Sequence, residues 1–220
     1  KDLGFTPKQK ERIIYNIKKT FNTSLTIGFG NPSIRWVILA APFGAGVGFY
    51  AFYAMQPFLL ELWGNSGAYW IAGLAAAIVA GAQIVGGLLV PYIGRLFKKR
   101  TSIFLTGIIL SSLFLALIGF AKNFWVAILF LVLWALISAA TTPVRQAYLN
   151  KLIPSEERAT VLSFDSLVGS SGGVVVQPIL GKSADLWSYS VSYGIGAIMQ
   201  FAALPFIFLA RREKPKSDDM

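Results

Sequence analysis

The sequence predicts an all-α membrane protein with six transmembrane helices. Three features carry that prediction: six long stretches almost free of charge, short polar punctuation between them, and basic residues that fall on alternate sides of the stretches. Residues 36–60, 62–94, 101–121, 123–144 and 186–210 hold no Asp, Glu, Lys or Arg, and 160–181 holds only Asp165. About 20 residues at ~1.5 Å rise cross a ~30 Å hydrocarbon core, so each stretch is long enough to span. In lipid every backbone amide needs an internal partner, which makes runs of this length helices. Barrel strands would be about half as long and would alternate in polarity. Composition agrees: 55% of residues are hydrophobic and 14% charged, and the 21 glycines sit mostly inside the apolar runs, where small residues let helices approach.

Taken in order, residues 1–31 form a basic amphipathic segment. Thr6, Pro7 and Gln9 supply an N-cap, a proline at the first helical position and a capping-box partner. Ile13, Ile14, Ile17 and Phe21 then share one face, while Lys8, Lys10, Arg12, Lys18 and Lys19 cover the rest, which describes a helix lying on a membrane surface. A solvated basic linker is the plainer alternative, and residues 21–31 are expected to be an irregular connection. A transmembrane domain follows over 32–210, with spans at about 32–62, 68–97, 101–121, 124–151, 160–184 and 190–210. Residues 211–220 make a tail that is basic, then acidic. Nothing outside the spans, the opening segment excepted, is large enough to fold alone.

The spans differ in texture. The first carries Pro42 and Pro57 with Gly44, Gly46 and Gly48, so it is expected to bend and to face the protein interior. Its aromatic patch of Phe49, Tyr50, Phe52 and Tyr53 begins near mid-depth, where hydroxyls need partners. The second has Gly73, Gly81, Gly86 and Gly87 with Gln83 near its middle. The fourth turns polar after Trp134, and the fifth is the most polar, from Ser163 through Asp165, Ser170 and Gln177. The third and sixth are oily. Four helices lining an aqueous path with two supporting them describe half of a transporter; a channel would show a filter loop or a ring of like charges, and neither is present in the sequence.

Charge placement orients the chain. Eighteen of the twenty Lys and Arg fall on the side of the N-terminus, and only Lys122 and Lys182 fall on the other. The positive-inside rule therefore places both termini in the cytoplasm. The net charge of +10 is explained by topology and anionic lipid, so no nucleic-acid partner is expected. Cysteine and histidine are both absent, which removes disulfides, thiolate nucleophiles and imidazole ligands or bases. Neither enzyme activity nor a metal or cofactor is expected. No cleavable signal peptide is expected, and a chain opening on Lys1 is compatible with either a fragment or a half-size protein.

The order of these features resembles the C-terminal six-helix half of a major facilitator superfamily transporter across essentially all of residues 1–220. The opening basic segment resembles that family's central cytoplasmic loop. The hairpin Gly-Arg-Leu-Phe-Lys-Lys-Arg at Gly94 to Arg100 is similar to its glycine and arginine loop, with Gly94, Arg95, Lys98, Lys99 and Arg100 as the residues of a cytoplasmic basic loop. Pro91 and Tyr92 stand where the family often has an acid, a departure that puts a gating role for this loop in doubt. The stretch from Pro143 to Phe164 is the most specific match, resembling the turn between the tenth and eleventh family helices in drug-exporter-like members. In it Pro154 stops one helix, and Ser155 is expected to cap the next with Glu156 and Glu157 near its positive end. Pro178 to Trp187 is similar to the outer end of the eleventh helix.

The resemblance implies a half-bundle of two three-helix repeats, completed by an N-terminal six-helix half that rocks against it in alternating access. It implies secondary transport of a small molecule, as a permease or efflux protein of the plasma membrane. Arg145 and Asp165 lie at matching depths, so they are expected to pair across adjacent helices as an inner gate; a static pair or a snorkelling arginine is the plainer reading. Tyr50, Tyr53, Gln83, Trp134, Ser170 and Gln177 are the candidates for lining the substrate pathway, each with packing or an interhelical hydrogen bond as its alternative role. No carboxylate lies at mid-membrane, so any proton coupling is expected to reside in the other half. The alternative function is a self-contained six-span protein that transports as a homodimer.

Overall fold

A computed structural model describes residue 22 and residues 25–65 and 67–219. The helix expected from Thr6 to Phe21 lies outside the described residues. Among the described residues, six segments have the length and apolarity to cross a membrane. The first is α1 (Pro32–Trp63), started by Asn31, whose side chain accepts from the Ser33 amide at 3.0 Å, and stopped by Gly64 at a φ of 77°. Pro42 and Pro57 lie inside it without interrupting the assigned helix. The chain before it is not irregular throughout, because residues 25–30 are helical.

The second span is two helices, α2 (Tyr69–Leu88) and α3 (Val90–Leu96), rather than one. Pro91 explains the break: it has no N–H to continue the ladder, and Leu89 carries the turn. After α4 (Arg100–Phe120) comes α5 (Phe124–Leu152), capped by Asn123, which accepts from the amides of Trp125 and Val126. Ser155 does not cap the next helix. Its hydroxyl bonds to Glu156, residues Ser155–Glu157 form a 3-10 turn, and α6 (Arg158–Leu186) begins only after Glu157, without a side-chain cap. The sixth span is also broken, into α7 (Tyr189–Phe201) and α8 (Leu204–Arg212), with Pro205 just beyond the turn at Ala202 and Ala203.

Helix contacts follow an exchange symmetry. Span one packs most extensively on span five, and span two packs on span four. Span three meets spans four and six, and span six meets span one. Exchanging spans one, two and three with four, five and six turns these pairings into one another and the pairing of three with six into itself. Two three-helix repeats therefore build the bundle.

Two hydrophobic clusters stack along its axis. One gathers Tyr50, Met55, Leu59, Ile118, Leu131, Trp134 and Tyr193; the other gathers Ile34, Ile38, Phe104, Tyr148, Leu149 and Ile207. Between them the helices cross at small residues. A Cβ on Gly46 would sit 2.7 Å from the Gly172 carbonyl oxygen, and one on Gly86 would sit 2.5 Å from that of Leu136. Backbones this close leave no room for a side chain, and such approach is how helices gain contact where lipid supplies no hydrophobic drive.

The chain returns to the end where α1 begins. There the tail docks on the turn between α3 and α4: the buried Asp218 carboxylate accepts from the Thr101 amide at 2.8 Å and from its hydroxyl at 2.9 Å. Arg100, itself buried, donates to the carbonyls of Ser217 and Asp219. Asp218 thus supplies the cap that α4 lacks locally, since the residue before it is Lys99.

Candidate functional site

Which side of the bundle meets water follows from what each helix exposes. On α4, α7 and α8 the large exposed residues short of the basic end at Arg212 are Ile109, Leu110, Leu113, Phe120, Val191, Ile198, Phe201 and Phe208, all apolar. On α2, α5 and α6 the exposed set also contains Gln83, Thr142, Gln146, Ser163, Ser166, Ser170 and Ser171. Spans two and five flank the bundle and have no extensive contact with each other. Polar groups left outward within a membrane-length helix need water or protein opposite them, because lipid cannot satisfy them.

Four of the six pathway candidates face or border this surface. Tyr53 is 66% exposed and packs edge-on against Phe52, while Gln83 and Ser170 are exposed on α2 and α6. Gln177 is half-buried; its amide folds back over Gly173 beside Phe49, in space that a side chain at 173 would fill. The other two lie inside. Tyr50 is packed edge-on against Tyr193, and Trp134 is buried in the same cluster. The Tyr50 hydroxyl and the Trp134 indole N–H find no hydrogen-bond partner among the described residues. Tyr193 was not a sequence candidate, yet it is buried and its hydroxyl donates to the Ala51 carbonyl at 3.1 Å, tying span six to span one.

Arg145 and Asp165 meet directly. Arg145 Nη1 donates to Asp165 Oδ2 at 2.7 Å and Nη2 to Oδ1 at 2.5 Å, a two-point pairing across α5 and α6. Nη2 also reaches the Val37 carbonyl at 3.3 Å, so the guanidinium joins spans one, four and five. Each charge stands seven residues inside its helix end, about 10 Å at ~1.5 Å per residue. At that depth an unpaired charge is costly, and the side chains are only 28% and 9% exposed.

The basic hairpin is less uniform than its sequence. Gly94 and Arg95 belong to α3, where the Arg95 guanidinium lies over the Tyr92 ring at 5.9 Å. Lys98 is exposed, Lys99 pairs through its backbone with Asp219, and Arg100 is buried under the tail. Sequence reasoning missed this docking. The signal available was a pair of acids in a basic tail and a helix beginning at Arg100 with no acidic residue in its first turn.

Among the described residues, a bundle of six membrane-length helices in two exchange-related repeats, with mid-span polar side chains turned outward on spans one, two, four and five, has the architecture of membrane transporters. The family profile of the Major Facilitator Superfamily matches residues 38–219, and the chain belongs to that family. It is an integral membrane protein of a transporter family. Among solved structures it is similar to a bacterial homolog of the human lysosomal transporter Spinster, in an inward-facing and unoccupied conformation. The TM-score is 0.61 at 17% identity, over 99% of this chain and 55% of that one, so the likeness is one of fold. This chain therefore spans about half the length of that transporter. No curated protein matches it.

Proposed function

We propose that this chain is the C-terminal half of an alternating-access secondary transporter, and that α1, α2, α5 and α6 form its side of the substrate pathway. One observation carries the reading: outward polar side chains occur on spans four and five and at Gln83 of span two, while spans three and six, up to the terminal Arg212, expose only apolar large residues. A polar flank of that kind calls for an aqueous cleft closed by a counterpart, here an N-terminal six-helix half. The coverage of about half of a related fold supports the same division.

Tyr53, Gln83, Ser170 and Gln177 contact substrate, with Tyr50 and Trp134 behind them. Aromatic and amide groups without a mid-depth carboxylate suit an uncharged or amphiphilic small molecule, as in drug-exporter-like members. The proton-coupling carboxylate, where there is one, belongs to the other half. The basic end is cytoplasmic in the plasma membrane, and the Arg145 and Asp165 pair helps to close the pathway there.

Vesicles carrying this chain with its N-terminal counterpart should move a fluorescent amphiphile, and vesicles carrying this chain alone should not. Gln83→Leu and Ser170→Leu should each raise KM with the fold intact, the signature of lost binding. Transport by this chain alone would overturn the division into halves. Unchanged kinetics in both variants would overturn the pathway assignment.

A further inference from the structure

On the face away from the polar flank, a groove of about 480 Å³ lies beside the break in the sixth span. Leu105 and Ile109 of α4 form one wall, and Phe201, Ala202, Pro205 and Phe208 form the other. Its lining is wholly apolar. The break borders the groove: Ala202, at the turn, brings only a methyl to the wall, and Pro205 beside it has no N–H to offer the Phe201 carbonyl.

We infer that this groove holds an acyl chain of an anionic phospholipid whose headgroup is bound by Arg212. The apolar walls select a hydrocarbon occupant. Depth selects a lipid chain, because Phe208 and Ala202 lie four and ten residues from Arg212, or about 6 and 15 Å inward at ~1.5 Å per residue. The groove thus runs from the basic surface to about the middle of a ~30 Å core, along the path of a chain in that leaflet.

Charge selects the headgroup. The Arg212 guanidinium stands 5.8 Å from the centroid of the Phe208 ring, which fixes a cation over the groove mouth. Arg212 is exposed and has no carboxylate in salt-bridge range among the described residues, and Arg211 lies beside it. Arg100, by contrast, is occupied by the tail carbonyls. The site depends on the bundle being seated in a bilayer and not on what the protein transports, so it stands or falls apart from the proposed pathway.

Native mass spectrometry of the purified protein titrated with phosphatidylglycerol and with phosphatidylcholine of the same acyl chains tests it. One phosphatidylglycerol should be retained about fivefold more tightly than phosphatidylcholine, the factor expected for one basic residue at the surface. Arg212→Gln should abolish that preference, and Ala202→Trp, which fills the groove, should weaken both lipids. Glycerol 3-phosphate, which has the phosphate without a chain, should not displace the bound lipid. Equal retention of the two lipids, a preference that survives Arg212→Gln, or unchanged retention in Ala202→Trp would overturn the site. Displacement by glycerol 3-phosphate would reassign it to a free phosphate ligand.

Discussion

At the scale of single residues, the Arg145 and Asp165 pair sets the sharpest expectation. Two charges about 10 Å inside a helical bundle are tolerated because each is the other's partner and Val37 takes a remaining donor. Removing one partner strands the other. Asp165→Asn should therefore destabilise the protein by about 3 kcal/mol, near the lower end for a buried pair because Arg145 is 28% exposed. Replacing both residues by leucine should recover much of that loss. Thermal unfolding in detergent reads the stability, and a transport assay on the double variant separates a gate from a static brace: a gate leaves the stable double variant impaired. The matching depths of the two charges were legible in the sequence. The third partner was not, because nothing in the sequence places Val37 against span four. Tyr50 and Tyr53 show the same limit, since α1 is apolar on every side and no stripe marks which aromatic turns inward.

At the scale of elements, glycines and the tail decide how the helices sit. A side chain at Gly172 would run into the backbone of Pro42, so Gly172→Val should push α1 and α6 apart and destabilise by at least ~1–3 kcal/mol. A Cβ on Gly81 would meet nothing within 4 Å, so Gly81→Ala should be neutral or stabilise by up to about 1 kcal/mol. Equal effects at the two positions in thermal unfolding would contradict the close crossing. Asp218→Ala should remove the cap of α4 at a loss of about 1–2 kcal/mol and expose the tail to limited proteolysis. All six spans were legible because lipid demands long uncharged runs. The breaks after Leu88 and Phe201 were less so: prolines are visible at 91 and 205, but α1, α5 and α6 carry internal prolines as continuous helices. Whether a proline breaks a helix depends on the neighbours that take up the freed carbonyl, and those belong to the tertiary structure.

At the scale of the whole molecule, exchange-related repeats place spans three and six together and leave spans two and five apart on the flanks. That arrangement concentrates Gln83, Ser166, Ser170 and Ser171 on a surface that lipid would penalise, and it gives the account its central claim: this surface faces a wet cleft. The chain has no cysteine, so single cysteines can report on it without a background. The direct measurement is the rate at which a charged, membrane-impermeant maleimide modifies Gln83→Cys and Ser170→Cys in the membrane-embedded, assembled protein, against Ile109→Cys and Ile198→Cys as references. Fast reaction at 83 and 170 with silence at 109 and 198 is the predicted result. Silence at 83 and 170, or equal reaction at all four, would contradict it.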